Sequence, residues 1–249
     1  MNSTDVTNSS SIKSDAIKTT VIKSPFIVAF DCADLASANY LADQLSPTLC
    51  RAKVGKELFT ACGMAVVDML HNKGYEVFLD LKYHDIPTTV AKAVAVVANA
   101  GIWMVNVHAS GGQRMMSAAI EAASQSNTTH LIAVTVLTSM TDKDLQLTGV
   151  TRTVEEQVIF LADSAKSAGL NGVVCSAQEA AQLRQRCGND FLLVTPGIRP
   201  ANAVADDQRR TLTPRQAIDA GSDYLVVGRP ITQADDPLQA LQEMLASLD

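Results

Sequence analysis

An apolar run in the first half of the chain ends in a cluster of charged side chains. Residues 77–89 read Val-Phe-Leu-Asp-Leu-Lys-Tyr-His-Asp-Ile-Pro-Thr-Thr, which brings Asp80, Lys82 and Asp85 within six residues. Side chains two apart on a strand share a face, so Asp80 and Lys82 are predicted to point together, with Asp85 in a turn before Pro87. Because burying an unpaired charge costs several kcal/mol, these groups are expected to pair inside a polar cavity. Such a cavity is a candidate for catalysis.

The elements that must position these charges are short strands alternating with helices. Eight apolar runs rich in Val and Ile recur with helix-like sequence between them, which is typical of a parallel sheet. Eight repeats over 249 residues favour a single α/β domain, a (β/α)8 TIM barrel. An open doubly wound sheet is the rival, but it predicts fewer strands and a Gly-rich fingerprint after the first. The predicted strands are residues 27–31, 51–55, 77–82, 104–109, 131–137, 172–176, 191–195 and 224–228.

Helices are predicted between these strands. Residues 35–45 form one, with Asp34 as its N-cap, and residues 90–98 form another that is rich in Ala and Val. Glycines that follow three of the helical patterns are predicted to reverse the chain before the next strand: Gly101, Gly169 and Gly221.

Composition limits the class of protein. A hydrophobic fraction of 47% allows a large core, and we predict one barrel domain over residues 25–249. The net charge of −6 argues against a general nucleic-acid surface, and no apolar run is long enough to span a membrane. Residues 1–24 are half Ser, Thr or Asn, and we expect a disordered leader; their acids make organelle import a minor possibility, so cytoplasm is the default. The five cysteines lack a Cys-x-x-Cys pair and are predicted to be reduced, mostly buried thiols.

In a barrel of this type, the working residues lie at the carboxyl ends of the strands. This rule adds Asp31, Lys53, His108 and Thr138 to the cluster. Asp31 could equally cap the next helix, whereas Lys53 finds polar partners only if it points into the barrel mouth. His108 is predicted to be a hydrogen-bonded interior residue rather than a ligand. No His-x-x-x-His or Cys cluster appears, and we expect neither metal nor cofactor.

The last two repeats predict a phosphate site. Thr-Pro-Gly-Ile-Arg at residues 195–199 and Val-Gly-Arg-Pro at residues 227–230 each place an arginine soon after a glycine. The loops after strands seven and eight usually hold phosphate in such barrels. Gly111-Gly112 is a competing phosphate loop, although a turn before a helix explains it better. The polar loop from residue 199 to 212 is long enough to close over a ligand.

These motifs together resemble the orotidine 5'-phosphate decarboxylase family in its bacterial type. The resemblance runs from about Pro25 to the C-terminus, and its most specific element is Asp-x-Lys-x-x-Asp-Ile-Pro, from Asp80 to Pro87. It is also carried by residues 29–31 (Ala-Phe-Asp), 53–55 (Lys-Val-Gly), 108–112 (His-Ala-Ser-Gly-Gly), 136–140 (Val-Leu-Thr-Ser-Met) and the two arginine loops.

The resemblance implies a homodimeric barrel that converts orotidine 5'-phosphate (OMP) to UMP and CO2 in de novo pyrimidine biosynthesis. It implies that Asp80, Lys82 and Asp85 lie at the reacting carbon, with Lys82 as proton donor, and that Asp31 and Lys53 lie beside the ribose. Lys53 is expected to be catalytic as well, because it completes the network of Asp and Lys charges. It implies further substrate-binding residues. Ile86 and Thr89, like Asp85, enter from the partner subunit, and Thr138 contacts the pyrimidine. The others are Pro196 and, towards the phosphate, Arg199, Gln208, Gly228 and Arg229.

Two other functions remain open. A related barrel decarboxylase or aldolase acting on sugar phosphates would use a similar Asp-x-Lys-x-x-Asp element to hold a metal, but Ile86-Pro87 and the Leu-Thr-Ser segment favour the nucleotide enzyme. A catalytically silent nucleotide-binding or scaffold protein would keep the arginines and could dispense with Lys82, so the presence of Lys82 favours an enzyme.

Overall fold

Eight parallel strands close into a barrel in the computed structural model, which describes residues 24–200 and 212–248. Each strand pairs with the next along the chain, and the first pairs with the last through Phe26 and Leu225, which confirms the predicted (β/α)8 barrel. The strands are β1 (Phe26–Ala29), β2 (Arg51–Val54), β3 (Val77–Tyr83), β4 (Met104–His108), β5 (His130–Val134), β6 (Gly172–Val174), β7 (Leu192–Thr195) and β8 (Tyr224–Val227).

Helices surround the barrel on its outer side. Those in the described residues are α1 (Leu35–Gln44), α2 (Lys56–Cys62), α3 (Ala65–Asn72), α4 (Pro87–Asn99), α5 (Gln113–Ala123), α6 (Asp142–Leu147), α7 (Val154–Ser167), α8 (Ala180–Cys187), α9 (Pro214–Asp219), α10 (Arg229–Thr232) and α11 (Pro237–Ala246), with a short 3-10 turn at Ala109–Gly111.

Local sequence signals account for the helix ends. Asp34 caps α1 as predicted, because its carboxylate accepts a hydrogen bond of 2.8 Å from the amide of Ser37. The helix predicted at residues 90–98 begins earlier, at Pro87, since proline suits the first helical position, where no amide donor is needed. The three predicted chain-reversing glycines have φ angles of 75°, 87° and 103°, a conformation that costs glycine little.

The strands are buried on both faces, which explains why their sequences are apolar without alternation. In β1, Ile27 and Ala29 point into the barrel, whereas Phe26 and Val28 pack against the helices. The barrel interior is filled by a layer of side chains from several strands, including Phe78, Met104, Ile132, Val194 and Val226.

Several predicted strand ends are wrong. The runs at residues 27–31 and 131–137 were expected to be strand throughout, but β1 ends at Ala29 and β5 ends at Val134. The predicted ends at residues 55, 109, 176 and 228 also lie one or two positions too late. The residues between the observed and the predicted ends are mostly apolar or small. They leave the ladder at the barrel mouth, where several of them, such as Val136 and Gly228, line a cavity.

The amino-terminal end of the barrel is closed by a buried cation. Arg51 of β2 is 6% exposed, and its guanidinium lies 4.4 Å from the ring centroid of Trp103 and 5.0 Å from that of Tyr224. Its Nε donates to Glu76 at 2.7 Å, and a second nitrogen donates to the carbonyl oxygen of Ser24. The aromatic faces and the carboxylate offset the cost of burying this charge, so Arg51 joins strands at the end opposite the predicted site.

Other predictions concern the leader, the cysteines and membranes. Residues 1–23 of the predicted leader lie outside the described residues, and Ser24 is buried at the start of the barrel. All five cysteines are free, and three of them are buried, as predicted. Within the described ranges, no helix combines the length and the apolar character needed to cross a membrane.

Candidate active site

Acidic and basic side chains alternate at the carboxyl ends of the first three strands. The Lys53 ammonium on β2 lies 3.4 Å from an oxygen of Asp31, which follows β1, and 3.6 Å from Asp80 Oδ2 on β3. The Lys82 ammonium lies 2.6 Å from Asp80 Oδ1. Four of the residues selected from the sequence therefore form one chain of charges, in the order Asp31, Lys53, Asp80 and Lys82.

The centre of this chain is shielded from water. The side chain of Lys53 is 10% exposed and that of Asp80 is 14% exposed, whereas Asp31 at the rim is 63% exposed. Burial raises the pKa of the Asp80 carboxyl, but the charges of Lys53 and Lys82 and hydrogen bonds from Lys82 and Asn106 outweigh it, so the pKa lies below its usual value. Asp80 is therefore an anion at neutral pH and stays between two cations.

The strand that carries Asp80 and Lys82 is irregular. Leu79 pairs with Val105 and Tyr83 pairs with Val107, so that three residues of β3 lie opposite one residue of β4. Lys82 also has a φ of 54°, in the left-handed region that non-glycine residues seldom adopt. The prediction that Asp80 and Lys82 face the same cavity is confirmed, but a bulge rather than the alternation of a regular strand brings them together.

A cavity of about 290 Å³ opens beside the charges, near the lower limit of ligand pockets. Its walls are formed by apolar side chains from the barrel interior: Phe78, Val134, Val136, Val174 and Val226. Its lining includes seven predicted site residues besides Asp80 and Lys82, namely Asp31, Lys53, Thr138, Pro196, Arg199, Gly228 and Arg229. The cavity is thus lined by the Asp and Lys side chains, by apolar side chains of the barrel interior and by two arginines.

Glycines allow the backbone to approach the charges closely. A Cβ atom on Gly55 would lie 3.1 Å from Lys53 Nζ, and one on Gly228 would lie 3.6 Å from an oxygen of Asp31. Gly197, next to Pro196, has a φ of 81°, a conformation that would be strained for a residue with a side chain. A side chain would therefore be crowded at Gly55 and strained at Gly197, whereas at Gly228 an added Cβ would make an ordinary contact.

Three predicted site residues lie outside the cavity of their own chain. Asp85, Ile86 and Thr89 are exposed, and an Asp85 oxygen accepts a hydrogen bond from the Ile86 amide at 2.6 Å. None of the three lines the cavity in the described part of the chain. Gln208, predicted to contact the substrate, lies outside the described residues, as do Asp206 and Asp207 of the same loop.

Two histidines lie beside the charged chain. His108, at the end of β4, is half-buried, and its ring centroid lies 5.6 Å from that of the exposed His84. Burial lowers the pKa of His108, and repulsion from His84 and Lys82 adds to the effect. His108 is therefore neutral at pH 7. In the described residues, no group of three or more His, Cys, Asp or Glu side chains is placed to hold a metal ion.

Sequence reasoning missed one polar residue of the site, Asn106. This residue is 0% exposed on β4, and its side chain hydrogen-bonds both to Asp80 Oδ1 and to the amide of Lys82. The available signal was an amide side chain within the apolar run Met-Val-Asn-Val-His, at the strand that neighbours the charged one. A buried asparagine in such a place needs hydrogen-bond partners, and the adjacent charges are the ones it finds.

Comparisons with known proteins agree with this architecture. Residues 24–244 match the model of a family described as "Orotidine 5'-phosphate decarboxylase / HUMPS family". Orotidine 5'-phosphate decarboxylases from Alcanivorax borkumensis and Saccharophagus degradans are 60% and 58% identical to this chain; the alignments cover 91% and 89% of it, and 99% and 94% of those proteins. A crystal structure of the enzyme of that name from Lactobacillus acidophilus is 39% identical, with a TM-score of 0.81 over 91% of this chain and 99% of that one.

Proposed function

The chain belongs to the orotidine 5'-phosphate decarboxylase / HUMPS family, and from this premise we propose that it converts OMP to UMP and CO2 in de novo pyrimidine biosynthesis. The observation that carries the proposal is the contact of 2.6 Å between the Lys82 ammonium and the largely buried Asp80, in a cavity that also holds two arginines. This arrangement suits an anionic substrate that must lose a carboxylate and gain a proton.

The reaction requires a proton donor at one ring carbon. When the bond between C6 of the pyrimidine and its carboxylate breaks, CO2 leaves and the electron pair remains on C6, in an orbital that the ring cannot delocalise. An ammonium group beside C6 stabilises this charge and then transfers a proton to it, which gives UMP. We assign this role to Lys82, which regains its proton from water after the product leaves.

Asp80 has a second part in the proposal. Its carboxylate holds Lys82 by a short contact, and in the complex it lies against the carboxylate of the substrate. Like charges in contact destabilise the bound substrate, and this repulsion disappears as CO2 leaves, whereas the attraction between Lys82 and the developing negative charge grows. The pair therefore favours the transition state over the ground state.

Lys53 keeps the anions in place. It lies between Asp80 and Asp31 and holds both carboxylates in place, and Asp31 at the rim is placed to accept hydrogen bonds from the ribose. Because Lys53 is itself almost buried, the charges are fixed before the substrate arrives. Such preorganisation avoids the cost of rearranging groups during the reaction.

The opposite side of the cavity suits the phosphate. Arg199 and Arg229 line it together with Pro196 and Gly228, and a guanidinium can hold a phosphate through two parallel hydrogen bonds. We propose that Gln208 joins them and that Thr138 contacts the pyrimidine ring. Binding energy from the phosphate, remote from the reacting carbon, then helps to exclude water from the charges.

We further propose that the site is completed by a second subunit, with Asp85, Ile86 and Thr89 entering the partner's cavity. Ile86, just before α4, is 64% exposed, and Val96 in the last turn of α4 is 63% exposed, which leaves two large apolar side chains uncovered along this segment. A mixture of Lys82→Ala and Asp85→Ala subunits tests this directly. Hybrid dimers would contain one site with both defects and one intact site, so mixing should restore activity to two inactive samples. No recovery under subunit exchange would contradict the shared site.

The activity itself is tested by following the loss of orotate absorbance when purified protein is mixed with OMP, with and without EDTA. We expect turnover that the chelator does not change, in a protein of the cytoplasm that needs no cofactor. Absence of turnover would overturn the assignment. Loss of activity with EDTA would instead favour the metal-dependent decarboxylase or aldolase that acts on sugar phosphates.

A further inference from the structure

We propose that Asn106 is a positioning residue, which fixes both Asp80 and Lys82 in the geometry that decarboxylation requires. The inference rests on the proposed function, because it assigns to Asn106 a part in the same reaction. Asn106 does not line the cavity among the described residues, so it acts through the two charged residues rather than on the substrate.

The contacts of Asn106 use both ends of its amide. Its Nδ2 donates a hydrogen bond of 2.7 Å to Asp80 Oδ1, and its Oδ1 accepts one of 2.8 Å from the backbone amide of Lys82. The residue is 0% exposed, so water does not compete for either bond. One neutral side chain therefore holds Asp80 by its carboxylate and Lys82 by its backbone amide.

The backbone at Lys82 needs this support. Three residues of β3 lie opposite Asn106 where a regular ladder would place one, and Lys82 adopts a left-handed φ of 54°. A non-glycine residue stays in that conformation only where contacts with the surrounding structure hold it there. The Asn106 side chain supplies an acceptor for the Lys82 amide at the bulge, and it thereby sets the direction in which the lysine side chain leaves the strand.

The effect on Asp80 is one of orientation. Asp80 Oδ1 accepts from both Lys82 Nζ and Asn106 Nδ2, while Oδ2 faces Lys53. The amide orients the carboxylate without adding a charge that would compete with either lysine. An asparagine with only a structural role would hold the strands together, and its loss would lower stability but not kcat. The loss of a positioning residue would also lower kcat.

Replacement of the side chain should separate catalysis from binding. We expect Asn106→Ala to lower kcat roughly 10- to 100-fold, which corresponds to the loss of one or two hydrogen bonds to charged or strained groups. The KM for OMP and the affinity for UMP should change less than about threefold, because the arginine side is untouched. An unchanged kcat, or a loss in affinity as large as the loss in kcat, would overturn the inference.

Asn106→Asp provides the sharper test, since it keeps the size and the acceptor for the Lys82 amide. While the introduced carboxyl is protonated it can donate to Asp80 as the amide does, but once ionised it repels Asp80. The ratio of its kcat to that of the wild type should therefore rise by about tenfold or more between pH 8 and pH 5.5. A ratio that stays constant with pH would contradict the proposed donor role.

Asn171→Ala is the matched control. Asn171 also uses its side-chain oxygen to accept from a backbone amide on a neighbouring strand, that of Leu131 at 2.8 Å, but at the amino-terminal end of the barrel. We expect a lower midpoint of thermal unfolding with kcat unchanged. If Asn171→Ala lowers kcat as much as Asn106→Ala does, the Asn106 effect is one of stability alone. A wild-type protein without turnover on OMP would instead overturn the proposed function, which this series measures first.

Discussion

Asp80→Asn removes one negative charge from the centre of the site and leaves its shape unchanged. The oxygen that remains can still accept from Lys82 and Asn106, which both bond to Asp80 Oδ1. Lys53, however, then faces an amide nitrogen in place of Asp80 Oδ2, and two largely buried ammonium groups lose the anion between them. The variant therefore isolates the contribution of charge from that of packing.

The size of the effect follows from the distances. At an effective dielectric constant of about 20, contacts of 2.6 Å and 3.6 Å are worth roughly 6 and 5 kcal/mol. Desolvation offsets most of this, and breaking a buried pair usually costs about 3–5 kcal/mol. Since two hydrogen bonds survive, we expect a loss near 3 kcal/mol, or roughly 6–12 °C in Tm for a domain of this size. A similar loss in transition-state stabilisation lowers kcat about 100-fold or more.

Kinetics and binding then separate the two roles of Asp80. Because like-charge contact with the substrate carboxylate is removed, the affinity for OMP relative to UMP should rise about fivefold or more while kcat falls. Stopped-flow binding and steady-state turnover measure the two quantities. Asp163→Asn is the control, since Asp163 pairs with Arg186 on the surface at 2.7 Å and its replacement should change stability and kcat little. An unchanged kcat, or an affinity for OMP relative to UMP that does not rise above that of the wild type, would refute the reasoning.

Two further predictions concern the ends of the barrel. Arg229→Ala should greatly lower kcat/KM on OMP and have little effect on a truncated substrate without phosphate, because the contact it removes is absent there; equal losses on both would count against a phosphate site. Arg51→Met should lower the free energy of unfolding in urea by about 2–4 kcal/mol, since it leaves Glu76 unpaired and removes the cation from Trp103, but it should not change kcat. Arg186→Met, on the surface, should have little effect on the free energy of unfolding, and similar losses for both arginines would contradict the role of Arg51.

The barrel and most of the charged site could be predicted from the sequence. Repeated apolar runs predict eight strands because both faces of a parallel strand are buried, and the rule that strand ends carry the chemistry selected Asp31, Lys53, Asp80 and Lys82. Strand ends were predicted less well. Residues such as Val136 are as apolar as the strand before them, yet they line the cavity wall after the ladder has ended.

The bulge in β3 and its support by Asn106 could not be predicted. The pattern of charges at residues 80 and 82 is the same in a regular strand and in a bulged one, because both place the two side chains towards the mouth. Only the pairing of Leu79 and Tyr83 with β4 shows the two extra residues. The positive φ of Lys82 likewise has no local signal, since glycine or asparagine would be expected at such a position.

The most direct test of the account is the turnover of OMP by Lys82→Ala, measured beside its affinity for UMP. Lys82 is the cation nearest Asp80, and no other lysine of the described chain besides Lys53 pairs with that carboxylate. We expect a folded variant that binds UMP almost as the wild type does and has no measurable decarboxylation. Substantial residual turnover by the purified variant would contradict the assignment of Lys82 as the proton donor.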